Sequence, residues 1–370
     1  GAQVPGWGGY DYTRLVSAVD VMEAYEGGDN LQIAHALNPD LVLMTTSFDE
    51  GPLEAWRIWH TALLGARGLV VWDDAGRFLG AEGQVGPRAR DLAPVLAELQ
   101  GGVGALLALA RPVYGPVGVL YSPASQRLLW LRARLGDAGW ARRQAEDELA
   151  ENPGRLGTET AVAALERMGL AARWVTPAML AAGVPAGLRV LLLPQALALS
   201  DAEAAALRRF AAAGGVVLAD TPPGGWDGHG RPRSAPPEGL AAPVADFSAA
   251  TLRPLLARAG VEGVTLTGPH GAAVTDVAIS RSTIGDTTIL ALQRAQPEAG
   301  IGPAAPVTLE LGTMQWVRDI RDTRPAAQTS RMTLRLDPVL PTLLALRAAP
   351  LAAPELATPA AVAAGGEAVL

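Results

Sequence analysis

The segment from Ala18 to Asp74 constrains the fold more than any other stretch of this chain. It reads strand, helix, strand, helix, strand: AVDVMEAYE, LVLMTTSF and GLVVWDD are the strands, and PLEAWRIWHTALLGARG is the helix between the last two. This is the alternation of a β/α barrel, in which ligands meet the loops after the C-terminal ends of the strands. Acidic and aromatic residues collect at those ends: Glu23, Tyr25, Glu26, Asp49, Glu50, Trp72, Asp73 and Asp74. Carboxylates in such positions suit proton transfer, and aromatic faces suit stacking on a pyranose ring. Three strands cannot close and fill a barrel, which takes eight. The expectation is therefore either part of a longer barrel or an open sheet.

Composition narrows the function classes. A chain of 370 residues predicts two or three domains, and 49% hydrophobic residues predict buried cores rather than disorder. The sequence contains no uninterrupted apolar run of about 18 residues, so no membrane span is expected. A net charge of −7 argues against nucleic-acid binding, which requires basic surface to displace counterions. Every basic side chain is Arg; without Lys, a lysine Schiff base and a P-loop lysine are excluded. Without Cys, disulfides, thiolate metal sites and cysteine nucleophiles are excluded. His35, His60, His229 and His270 are scattered without zinc-like spacing, so neither a metal nor a cofactor is expected. The N-terminal GAQVPGWGGYDYTR has no signal-peptide pattern, and the compartment stays open.

Organisation along the chain predicts an α/β multidomain protein. Residues 1–112 hold the partial barrel, ending in helical sequence from Pro87 to Leu109 broken around Gly101–Gly104. Residues 113–260 alternate buried strands (PVGVLYS, ARWVTP, LRVLLLPQ, GVVLAD) with helices, the pattern of a flavodoxin-like doubly wound sheet. Thr158 is a candidate N-cap there, and Ser200 with Glu203 forms a candidate capping box. From 261 to 350 the period changes to two, which predicts a small antiparallel β-sandwich of about six strands. Residues 351–370, rich in Ala, Pro and Gly, read as a flexible tail.

Two stretches carry a family resemblance. EAWRIWHTALLGARGLVVWDD resembles the last barrel helix and strand 8 of family 42 glycoside hydrolases, the β-galactosidase type. LRVLLLPQALALSDAEAAALRRFAAAGGVVLAD resembles the family's glutamine-amidotransferase-like trimerisation domain. The resemblance implies a barrel, that middle domain and a C-terminal β domain, a carbohydrate substrate, and a homotrimer. It implies an acid/base glutamate after strand 4 and a nucleophilic glutamate at strand 7. AVDVMEAYE, LVLMTTSF and GLVVWDD would be strands 6, 7 and 8, leaving strands 1–5 and the acid/base outside this chain, which alone is expected to be inactive. The strand-7 motif expects Glu after Met; here Thr45 follows Met44.

The second carboxylate is then expected from Glu23, Glu26 or Glu50, with Tyr25, Trp72 and Asp73 contacting the sugar. Retaining glycosidases hold two carboxyls about 5 Å apart, inverting ones about 6.5–9.5 Å. Glu23 and Glu26, three apart, fall on opposite faces of a continuous strand. Asp49 and Glu50 equally suit a helix-start charge. Leu53, Trp56, His60 and Leu63 share a helix face, which reads as packing. The middle domain lacks the Cys nucleophile of a glutaminase and reads as an assembly module. Thr45 also admits a catalytically lapsed, glycan-binding or scaffold protein of the same architecture.

Overall fold

The computed structural model describes residues 11–24, 29–135, 153–295, 305–322 and 324–350. The expectations for Tyr25, Glu26 and the 351–370 tail lie outside the described residues. Three sheets organise the rest.

The first sheet is parallel, in the order β1 (Val21–Glu23), β2 (Val42–Ser47), β3 (Gly68–Val71). A short α1 (Tyr12–Leu15) precedes it, and α2 (Asn30–Leu37) and α3 (Gly51–Leu63) are the crossovers. Paired residues share a face: Val21 with Val42, Glu23 with Met44, Thr46 with Val70. Met22 and Leu43, on the other face, are buried with Leu31 and Ile33 of α2. The first face is largely uncovered: Val21, Val42 and Val70 are 53%, 43% and 36% exposed, although Thr46, nearer the carboxyl end, is buried. Parallel sheets are ordinarily covered on both faces. After β3 come α4 (Pro87–Gln100) and α5 (Gly102–Leu109), bent by 54° at Gly101. Among the described residues no single helix is long and apolar enough to cross a membrane.

The second sheet is also parallel, in the order β6 (Ala171–Val175), β5 (Tyr114–Leu120), β7 (Val190–Leu193), β8 (Val216–Ala219), β9 (Ala242–Pro243). The helices are α6 (Pro123–Arg134), α7 (Pro153–Glu166), α8 (Pro177–Ala182), α9 (Asp201–Ala212) and α10 (Ala249–Arg258). Both faces are buried. Val117, Val190, Leu192 and Leu218 belong to one core, and Leu120, Leu191, Leu193 and Val217 to the other. That is why VLLL runs apolar without alternation. Ser200 and Glu203 cap α9 reciprocally, as their spacing predicts. Thr158 is not a cap: α7 begins at Pro153, and the Thr158 hydroxyl donates back to the Gly154 carbonyl at 2.8 Å.

The third sheet is antiparallel, as its alternating sequence predicts. Seven antiparallel strands bond into one continuous sheet. They are β4 (Arg111–Pro112), β10 (Thr265–Thr267), β11 (Val277–Ile284), β12 (Thr287–Arg294), β13 (Ala305–Asp319), β14 (Ala327–Leu336) and β15 (Thr342–Arg347). The fifteen-residue β13 joins them, pairing with β10, β14 and β15. Its register with β14 shifts between Glu310 and Gln315, where Gly312 has φ +74°, and such irregularities bend a sheet without splitting it. One face carries its own core, Leu266 to Leu346, while Ala291 and Leu343 on the other pack against Ile58, Trp59, Leu92 and Val95 of α3 and α4. Only Val113 separates β4 of this sheet from β5 of the second, and its N–H donates to the Arg281 carbonyl at 2.9 Å.

Candidate functional site

The C-terminal ends of β1, β2 and β3 lie side by side because the strands are parallel and in register. Alternation carries Glu23 and Thr46 onto the uncovered face, and continues to Phe48 and Trp72 just beyond the strands. Glu23 is half-buried, and its carboxylate accepts a hydrogen bond from the Thr46 hydroxyl. Thr45 points the other way and is buried, 3% exposed, among the residues beneath β3. A carboxylate at position 45 would therefore face the helices, not the rim.

Phe48 and Trp72 form an exposed aromatic pair, with ring centroids 6.1 Å apart and planes tilted by 43°. They are 56% and 51% exposed, an unusual cost for two large apolar side chains in adjacent loops. The backbone beneath them is held firmly. The Trp72 N–H donates to the Ser47 carbonyl at 3.0 Å, extending the ladder one residue past the strands.

The other predicted acids are engaged in local structure. Asp73 accepts the backbone N–H groups of Arg77, Phe78 and Leu79 at 2.8, 3.0 and 3.0 Å. The Leu79 N–H, assisted by those of Phe78 and Arg77, holds its carboxyl below the ordinary carboxylate range. Asp73 thus organises the loop after β3, with both oxygens occupied. Glu50 is the N-cap residue of α3 without a side-chain capping bond, and it pairs with Arg77 at 2.6 Å. Asp49 pairs with Arg57 at 2.5 Å. The structure therefore does not gather Glu23 and Glu50 around one hydrogen-bonded centre. His60 packs as its helix face predicts: it stacks on Trp56 at 4.8 Å and meets the Gln293 side chain at 3.3 Å.

Sequence reading missed the buried network under this rim. Glu54, fully buried on α3, accepts the Ser47 hydroxyl at 2.6 Å and Arg88 Nη2 at 2.6 Å. Arg88 Nε reaches the other Glu54 oxygen at 3.0 Å, and its terminal nitrogens donate to the Ser47 and Trp72 carbonyls. Hydrogen bonding to Glu54 pushes the Arg88 pKa further above its ordinary value. One side chain from α4 thereby ties together the ends of β2 and β3. Glu54 and Arg88 stand 34 positions apart, so no local spacing links them. Phe48 carried a signal, as the aromatic directly following a strand. Among the described residues no group of three or more His, Asp or Glu is placed to hold a metal ion.

No protein-family model matches this sequence, and no curated protein matches it. Solved structures do match. A β-galactosidase from Bacillus circulans sp. alkalophilus superposes with TM-score 0.62 at 13% identity, over 93% of this chain and 62% of that one. A cold-adapted β-galactosidase from Rahnella sp. R3 gives TM-score 0.62 at 13% identity, over 91% and 61%. A GH42 exo-carrageenase from Bacteroides ovatus gives 0.57 at 12%, over 93% and 51%. The chain thus spans between half and about three-fifths of these proteins, and at such identities the likeness is one of fold. It is the fold of GH42 enzymes that the two sequence stretches resemble.

Proposed function

We propose that the chain is the C-terminal part of a glycoside hydrolase of the β-galactosidase type, acting on terminal β-linked sugars. The observation that supports this reading is that Glu23, bonded by Thr46, and the exposed Phe48–Trp72 pair fall by alternation on one face, at the carboxyl ends of parallel strands. In this reading the first sheet is the closing arc of a (β/α)8 barrel, and the uncovered valines are part of its interior. The second sheet is a flavodoxin-like, glutamine-amidotransferase-like module through which the protein forms a trimer. Its strand order supports that assignment, because β6-β5-β7-β8-β9 corresponds to 2-1-3-4-5 within the unit.

Glu23 supplies one of the two carboxylates, and the other comes from outside the three strands described. The Thr46 hydroxyl donates to the Glu23 carboxylate and orients it. Trp72 and Phe48 stack against the apolar face of the sugar, while Tyr25 and Glu26 follow Glu23 two and three positions on in the chain. Hydrolysis of an aryl β-galactoside by the complete protein tests the reading. Glu23→Gln is expected to lower kcat/KM by about 10²–10⁴-fold, the range for a lost proton-transfer group. Full activity in Glu23→Gln, or loss on Glu50→Gln alone, would remove Glu23 from the reaction.

A further inference from the structure

The three units meet around a cavity of about 90 Å³ that takes no part in the site above. The turn between α3 and β3, with α2, forms one wall; β6 forms another, and β11 with β12 the third. Its volume has room for several water-sized groups, far more than a packing defect. Most of the lining is apolar, including Leu63, Leu107, Ile279 and Ile289. Arg67 and Tyr114 are its exposed lining residues, so a ligand has a route in from solvent.

The polar groups on this lining are unbalanced. Among the described residues Glu166 is its one carboxylate, and Gln32 donates to it at 2.7 Å. Arg67 and Arg281 both line the cavity, and neither has an ion pair among the described residues. Arg67 donates instead to the carbonyls of Ala66 and Leu107, each at 3.1 Å. Arg111 approaches closely enough that, after burial, it is the next cause lowering the Arg67 pKa. Burial, then Arg67 and Arg111, likewise lower the His35 pKa below its ordinary value. Trp174, 3% exposed, is another lining residue, and its indole N–H has no hydrogen-bond partner among the described residues. A buried donor without an acceptor is costly, and a mostly apolar lining that carries two arginines against one carboxylate favours an anion.

We infer that this junction binds a small organic carboxylate, whose acid group pairs with Arg67 and Arg281 while its hydrocarbon body fills the apolar wall. The apolar majority of the lining selects an organic acid over inorganic phosphate, and the volume selects a short chain. Because each unit contributes a wall, occupancy stabilises the docked arrangement of all three.

The test is titration of the full chain with butyrate, followed by calorimetry and by thermal unfolding, with inorganic phosphate and 1-butanol as parallel arms. Butyrate is expected to give saturable heat and a saturable rise in melting temperature. Arg67→Gln and Arg281→Gln are each expected to weaken binding tenfold or more with an unchanged far-UV spectrum. Absence of saturable heat from butyrate would overturn the inference, as would unchanged affinity in both variants. An equal response to 1-butanol would overturn the role of charge, and a stronger one to phosphate the organic ligand. The three wild-type arms decide the matter even where a variant fails to fold.

Discussion

Removing the charge of Glu54 should loosen the rim of the first sheet without touching any exposed residue. Arg88 and Glu54 are 4% and 0% exposed, so each depends on the other for compensation. In Glu54→Gln, Arg88 keeps its carbonyl acceptors at Ser47 and Trp72 but faces a neutral amide in place of a carboxylate. Breaking a buried pair from one side costs about 3–5 kcal/mol, since the remaining charge stays desolvated. At about 1.4 kcal/mol per decade, that lowers local protection against hydrogen exchange by roughly 10²–10⁴-fold. Exchange mass spectrometry on peptides spanning β2 and β3 reads this directly. Arg88→Met should cost a similar amount, and Glu54→Leu with Arg88→Met less than the sum, because the double variant leaves no stranded charge. Additive losses, or single-variant losses under about 1 kcal/mol, would refute the claim that the pair acts as one unit.

Three further outcomes follow from named contacts. The folded-state pKa of His35 lies below the ordinary 6.5, so the unfolded chain takes up the proton first. Stability should be complete above about pH 6.5 and fall as the pH drops toward the folded value; urea midpoints across pH 5–7.5 should show this slope in the wild type and lose it in His35→Gln. Gly65→Ala should cost about 1–3 kcal/mol by urea unfolding, because Gly65 has φ +109° and a Cβ there would lie 3.0 Å from His35 Nδ1. Trp72→Ala should change stability by no more than about 0.5 kcal/mol, as befits a side chain 51% exposed. On the proposed function it should also weaken sugar affinity about 2- to 10-fold by equilibrium binding, the worth of one stacking face.

Legibility in the sequence followed the range of the interactions. The β1, β2 and β3 segments were readable because short apolar runs flanked by Gly, Pro and acids carry a local signal. The unbroken VLLL of β7 announced a strand covered on both faces, and Ser200 with Glu203 announced a helix start, since both effects act within four residues. From 261 onward, alternation told which residues face inward but not that the strands share one continuous ladder, which the length of β13 and the irregularity near Gly312 provide. Thr158 failed as a cap because Pro153, itself a favoured first-turn residue, starts the helix earlier. At the rim, Glu23 and Trp72 could be placed from strand ends alone. The engagement of Asp73 by a loop five residues long, and the pairing of Glu54 with Arg88, arise only once the chain has folded back.

The one-residue joint at Val113 has a mechanical consequence. A polypeptide that leaves one ladder and enters the next within a single step has no slack to act as a hinge, and Val113 is itself hydrogen-bonded to Arg281. Torque applied to the central layer is transmitted straight into the terminal one, so the pair should tumble as a single rigid rotor. A recombinant seam placed at this joint would sever two ladders with one scission, whereas the same cut in an ordinary linker would sever none.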